Sequence, residues 1–186
     1  MFGNYFELGF DHILDLNGYD HILFVIALCA VYSISQWKQI LILVTAFTIG
    51  HCLTLVLSGL KIITISADLI EFLIPLTILV TAIFNIVKGA PSEQKVRWNY
   101  LLALFFGLIH GLGFSNYFKA LIDEEENIVS VLLPFNLGVE LGQLVIVACT
   151  LLAGFIFMNV LKTKQRDWNL IVSGAAAGIA ITLMIG

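Results

Sequence analysis

Residues 128–161 read IVSVLLPFNLGVELGQLVIVACTLLAGFIFMNVL, an apolar run interrupted by a single charged residue, Glu140. A helix needs about 20 apolar residues to cross roughly 30 Å of hydrocarbon. This run exceeds that length and has room to tilt or to extend past the bilayer. It lacks the alternation of a barrel strand, and an open strand would leave its backbone groups unpaired in lipid. The run therefore reads as a membrane-spanning helix. Working outward, five more candidates lie at about 19–34, 40–60, 69–87, 98–118 and 168–185, the first of them short.

Composition agrees. Of 186 residues, 60% are hydrophobic and 12% charged, and the mean hydropathy is +1.00. A soluble domain carries about 25% charged residues, so this chain could not cover a water-facing surface. A formal charge of −4 leaves no basic footprint, which excludes nucleic acid as a partner. Cys29, Cys52 and Cys149 lie in apolar stretches without CxxC spacing and read as packing residues. The expected fold is all-α: a polytopic membrane helix bundle of about six spans plus a short N-terminal interfacial or re-entrant helix. It is expected to form one transmembrane domain over 1–186, with 1–17 as the N-terminal segment and 18–186 as the bundle.

The connections are short, at Ser35-Gln36-Trp37-Lys38, Gly89-Ala90-Pro91-Ser92-Glu93-Gln94 and Asp123-Glu124-Glu125-Glu126-Asn127. Trp37, Trp98 and Trp168 flank span ends, as an interfacial aromatic belt would. Loops one, three and five carry Lys38, Lys88, Lys95, Arg97, Lys162, Lys164 and Arg166, whereas loops two and four carry only Lys61 and Lys119. The positive-inside rule makes the odd loops cytoplasmic and both termini external. Glu7, Asp11 and Asp15 take the place of a basic n-region, so no cleavable signal peptide is expected. Phe6, Phe10, Ile13 and Leu14 recur at helical spacing, and Asn17-Gly18 is an expected break before the first span.

An ionisable residue inside a span is costly unless paired or facing a cavity, so it defaults to a functional-site hypothesis. None of the four histidines falls in an ordinary loop. His51 and His110 each follow a basic loop residue, Lys38 or Arg97, by thirteen positions, or roughly 19 Å of helix. Glu140 lies twelve residues into its span, at roughly 18 Å. Asp20-His21 opens the first span and His12 precedes it. All fall between the outer surface and mid-membrane.

Asn136, Glu140 and Gln143 share one helical face, as do Thr48, His51 and Thr54. Gly107/Gly111 and Gly138/Gly142 bracket His110 and Glu140 in a spacing that lets helices approach closely. Imidazole with carboxylate suits zinc, nickel or copper. The candidate metal ligands are therefore His12, Asp20, His21, His51, His110 and Glu140, with Asn136, Gln143 and Thr48 supporting. Asp68, Glu71 and Asp11 read as solvated helix ends, Asn85 and Asn159 as interfacial residues, and Gly174/Gly178 as helix packing.

The strings Gly18-Tyr19-Asp20-His21-Ile22-Leu23-Phe24, Phe47-Thr48-Ile49-Gly50-His51, Gly107-Leu108-Ile109-His110-Gly111 and Phe135-Asn136-Leu137-Gly138-Val139-Glu140-Leu141-Gly142-Gln143 resemble the HupE/UreJ family of bacterial membrane proteins. That family is associated with nickel hydrogenase and urease gene clusters, and some members are regarded as nickel or cobalt permeases. The resemblance implies a multi-pass protein of the bacterial cytoplasmic (inner) membrane. It also implies that His12, Asp20 and His21 match the family's metal-recognition motif, here with a seven-residue spacer.

Three functions follow as expectations. One is a transition-metal permease using the His/Asp/Glu cluster. Another is a zinc-dependent hydrolase of a lipid or lipid-like substrate at the outer leaflet, with Asp20 or Glu140 as general base. The third is a structural or accessory subunit. The expected partners are membrane lipid, a metal ion or lipid-like substrate, and a second copy in a homo-oligomer.

Overall fold

The computed structural model describes residues 2–63, 65–89, 96–121 and 128–185. The side chains of 96, 97, 119 and 121 are outside that description, as are Lys95 and the connections expected at 90–94 and 123–127. Seven helices and no strand appear among the described residues. They are α1 (Phe2–Leu14), α2 (Asp20–Cys29), α3 (Trp37–Gly59), α4 (Ala67–Lys88), α5 (Val96–Leu121), α6 (Ile128–Phe155) and α7 (Gln165–Ile185). A 3-10 turn, Ile34–Gln36, leads into α3, and a π turn, Ile156–Val160, prolongs α6. The five helices α3 to α7 are long and apolar enough to cross a membrane.

Two pairs of helices pack backbone to backbone. In the first, a Cβ on Gly50 would fall on the Leu104 carbonyl and one on Gly107 on the Phe47 carbonyl, so α3 and α5 touch main chain to main chain. Farther along, Thr54 lies against Gly111 as Phe47 does against Gly107, so residue numbers rise together and the two helices are parallel. Thr54 Oγ1 donates to Leu108 O at 2.9 Å across it. In the second pair, Gly138 faces the backbone of Phe6 and Phe10, and Gly142 lies against Phe10 and Ile13. Thus α1 and α6 are also parallel.

These contacts decide between the two expectations for the N-terminal segment, an interfacial or a re-entrant helix. The bundle has one end that carries Lys38, Lys88, Lys162, Lys164 and Arg166, here the basic face. At the opposite face, the C-terminus of α3 meets the N-terminus of α6 through Gly59 and Ile128. Being parallel to α6, α1 starts at the opposite face and runs into the bundle, with Gly9 and Ile13 buried. It does not lie along an interface.

Expected to span from 19 to 34, the first crossing holds only ten helical residues, Asp20–Cys29. It continues from mid-bundle to the basic face, where Ala27 O accepts from Asn85 Nδ2 at 2.7 Å and Ala30 O from Gln165 Nε2 at 3.2 Å. At 1.5 Å per residue α1 and α2 are roughly 20 and 15 Å long, so together they make one crossing in two halves. The break falls at Asn17-Gly18 as expected. There Asp15 Oδ1 accepts from the Asn17 amide at 2.8 Å and from its side chain at 3.2 Å.

A continuous apolar core joins all seven helices, with Ile13, Phe24, Phe47, Ile78, Phe106, Phe135 and Ala180 among its members. On the basic side it contains a polar knot. Asn169 Nδ2 donates to Asn85 O at 2.8 Å, and Ser173 Oγ to Asn169 Oδ1 at 2.9 Å. Read as interfacial from sequence, Asn85 is instead buried and ties α2, α4 and α7 together. Low solvation inside the bundle makes such bonds obligatory for buried amides.

Candidate metal centre

The helix break puts two short helix ends inside the bundle, and both carry candidate ligands. His12 sits in the last turn of α1 and Asp20 and His21 in the first turn of α2. Asp20 Oδ1 accepts from the His21 amide at 2.8 Å and faces His21 Nδ1 at 3.0 Å. A carboxylate in that position fixes the ring orientation and tautomer and leaves the other nitrogen to a ligand.

His51 from α3 and His110 from α5 arrive from the glycine-mediated parallel pair. Both are completely buried. Ring centroids lie 4.7 Å apart for His12 and His21, and 5.8 Å apart both for His12 and His51 and for His21 and His51. His21 and His110 are separated by 4.9 Å. Two groups hold their ligand atoms within 4.8 Å of one another: His12, His21 and His51, and Asp20, His21 and His110.

Unsatisfied buried polar atoms concentrate in this cluster, with Asn136 Oδ1 and Gln143 Nε2 the others among the described residues. His110 Nε2 meets Thr77 Oγ1 at 2.9 Å. By contrast, His12 Nε2, His21 Nε2, both nitrogens of His51 and His110 Nδ1 are buried without a partner among the described residues. Buried polar atoms are nearly always satisfied, because an unsatisfied one costs about 1–3 kcal/mol. Five such nitrogens converging on one place fit a set of imidazoles awaiting a cation.

Phe24, Phe47 and Phe106 each stand about one turn toward the basic face from His21, His51 and His110. Phe24 packs against Phe47 at 4.9 Å and Phe106 at 5.9 Å, and His110 lies 5.1 Å from both Phe24 and Phe47. They close that side. Toward the opposite face the cluster opens into a cavity of about 890 Å³, which His12, Asp20, His21 and His110 line. Its mouth carries Asp11, Asp15 and Glu71, with no Lys or Arg among the described lining residues. Asp11 and Glu71, expected only as solvated helix ends, are exposed and also face this cavity.

Five of the six sequence-derived ligand candidates thus come together. Glu140 stands apart from them. It accepts from Thr45 Oγ1 at 2.6 Å and belongs to neither three-ligand group. Beside it, Gln143 Oε1 accepts from Thr48 Oγ1 at 2.8 Å, and Asn136 Nδ2 donates to Leu132 O at 2.7 Å. Of the expected polar stripes, Thr48 and Gln143 meet as a rung between α3 and α6, whereas Thr54 bonds to α5 and the Asn136 amide to its own helix. Thr77 escaped the sequence reading, because a lone threonine in an apolar span carries no signal of its partner.

The HupE / UreJ protein family model matches residues 1–185. Neither the curated proteins nor the solved structures contain a match.

Proposed function

The chain belongs to the HupE/UreJ family, and we propose that within it this protein is a transition-metal permease of the nickel/cobalt type. The carrying observation is the set of five ring nitrogens without a partner among the described residues, on four neighbouring histidines of which His12, His21 and His110 line one cavity. Borderline imidazole nitrogens with one carboxylate select first-row divalent ions such as nickel, cobalt or zinc over magnesium or calcium.

Two features support transport. The crossing that carries His12, Asp20 and His21 is discontinuous at the site, the arrangement by which many transporters expose helix ends to an ion. The C-terminal end of α1, with its negative partial charge, faces the cluster and favours a cation, and the Asp20 carboxylate offsets the opposing N-terminal end of α2. By the positive-inside rule the basic face is cytoplasmic, so the cavity opens to the outside of the inner membrane. Ile49, Leu53 and Leu137, all exposed on the described surface, would then face lipid.

A second reading has its own observation. The Phe24, Phe47 and Phe106 barrier closes the cytoplasmic side, and three histidines leave a zinc coordination position open to water. That supports a hydrolase in which Asp20, lining the cavity, is the candidate base.

Uptake separates the two. Proteoliposomes holding the purified protein are expected to accumulate radioactive nickel or cobalt against a chelator trap, and His21→Ala abolishes it. Tight metal binding with no accumulation, together with hydrolysis of a lipid ester or amide, would overturn the permease reading in favour of the enzyme.

A further inference from the structure

The metal cluster has five members but is not one five-ligand cage. Its ligand atoms fall into two groups of three that share His21. One group is all imidazole and joins α1, α2 and α3. The other contains a carboxylate and joins α2 and α5. We propose that these are two overlapping positions for one ion, and that His21 passes it between them. This rests on the metal-binding reading above and adds how the site is divided.

The free atoms assign the donors. In the first position, His12 Nε2, His21 Nε2 and a nitrogen of His51 are all buried and unpartnered. His21 Nδ1 then carries its proton toward Asp20 Oδ1, 3.0 Å away. In the second position, His110 offers Nδ1, because Thr77 occupies its Nε2 at 2.9 Å. Asp20 offers a carboxylate oxygen, and His21 offers Nδ1, the nitrogen beside it.

A neutral imidazole has one N–H and one lone pair. His21 can therefore serve one position at a time. To change position the ion releases Nε2, the ring proton moves from Nδ1 to Nε2 by exchange with solvent in the cavity, and the ion binds again through Nδ1. Simultaneous filling would require an imidazolate. A single ion that trades His12 and His51 for Asp20 and His110 leaves one nitrogen of His21 and returns to the other. It also exchanges a neutral ligand set for one that cancels part of its charge. Such a trade gives an ion leaving the three-histidine site a second ligand set beside it.

Cobalt is the probe, because its visible spectrum reports ligand number and type. Equilibrium dialysis and absorption spectra are recorded on the full chain in detergent. Wild type is expected to bind one cobalt per chain. His12→Ala/His51→Ala and His110→Ala are each expected to retain one ion with distinct spectra, the former showing mixed nitrogen and oxygen ligation. His21→Ala is expected to lose at least the 10–100-fold in affinity that even an outer-sphere partner costs. His21→Asn and a circular dichroism spectrum guard against a folding defect. Two ions per wild-type chain would overturn the shared-ligand proposal. So would binding abolished as fully in His110→Ala as in His21→Ala, since that marks a single composite site. Failure of wild type to bind cobalt, nickel or zinc would instead overturn the metal-binding reading itself.

Discussion

His51 offers a direct test of whether the cluster is built for an ion or for packing. Its ring is completely buried between α3 and α6, 6.3 Å from both Phe47 and Phe135, and neither nitrogen has a partner among the described residues. At about 1–3 kcal/mol for each unsatisfied group, the metal-free protein carries a penalty of about 2–6 kcal/mol at this one residue. Leucine has a similar volume and no polar atom, and a volume-conserving swap costs under about 1.5 kcal/mol. His51→Leu is therefore expected to stabilise the metal-free protein by about 1–4 kcal/mol while removing a ligand.

The assay is thermal and denaturant unfolding in detergent, with chelator and with nickel. Nickel at a hundredfold excess over Kd stabilises wild type by about 2.7 kcal/mol. The variant, left with the Asp20, His21 and His110 position, gains less. The reasoning is refuted if His51→Leu is less stable than wild type in chelator by more than about 1 kcal/mol, or if nickel stabilises both proteins equally. Either outcome would make His51 a packing residue.

Three more outcomes are expected. Gly138→Ala would drive a Cβ into the backbone of Phe6 and Phe10, parting α1 from α6. Unfolding measurements should show a loss of about 1–3 kcal/mol, and dialysis a weaker metal affinity as His12 shifts. Asn85→Ala strands the Ala27 carbonyl and should cost about 1–3 kcal/mol, with metal stoichiometry unchanged in the same dialysis assay. Neutralising the cavity mouth with Asp11→Asn/Asp15→Asn/Glu71→Gln should slow metal association about tenfold at low salt and flatten its salt dependence in stopped-flow measurements. An unchanged salt slope would show that these carboxylates do not steer the ion.

Much of the site was legible because charge is so scarce in this chain. With 12% charged residues, each histidine in an apolar run stands out, and counting from the basic loops placed His51 and His110 at one depth. Glycine spacing also pointed to close helix pairs, and Gly107 and Gly138 do sit at backbone contacts. Less legible was α1. Its 13 residues are too few to span, so hydropathy could not distinguish a surface helix from half of a broken crossing. Glu140 showed the same limit. Helical periodicity put it on a face with Asn136 and Gln143, but its partner depended on which helix met that face, and that is Thr45.

What the sequence determined by itself was the solvent and the secondary structure. Chains this apolar must live in lipid, and lipid forces the backbone into helices because nothing else can satisfy its hydrogen bonds. It also supplied the inventory of chemistry, since a cell membrane tolerates few buried ionisable groups and these were easy to count. Tertiary structure decided which of them meet. His12 and His21 come together because the chain breaks at Asn17-Gly18 and sends two half-helices into one crossing. His51 and His110 join them because glycines let α3 and α5 lie in parallel contact. Local patterns marked the break and the glycines, but which helices they bring together is a fact of packing between segments distant in sequence.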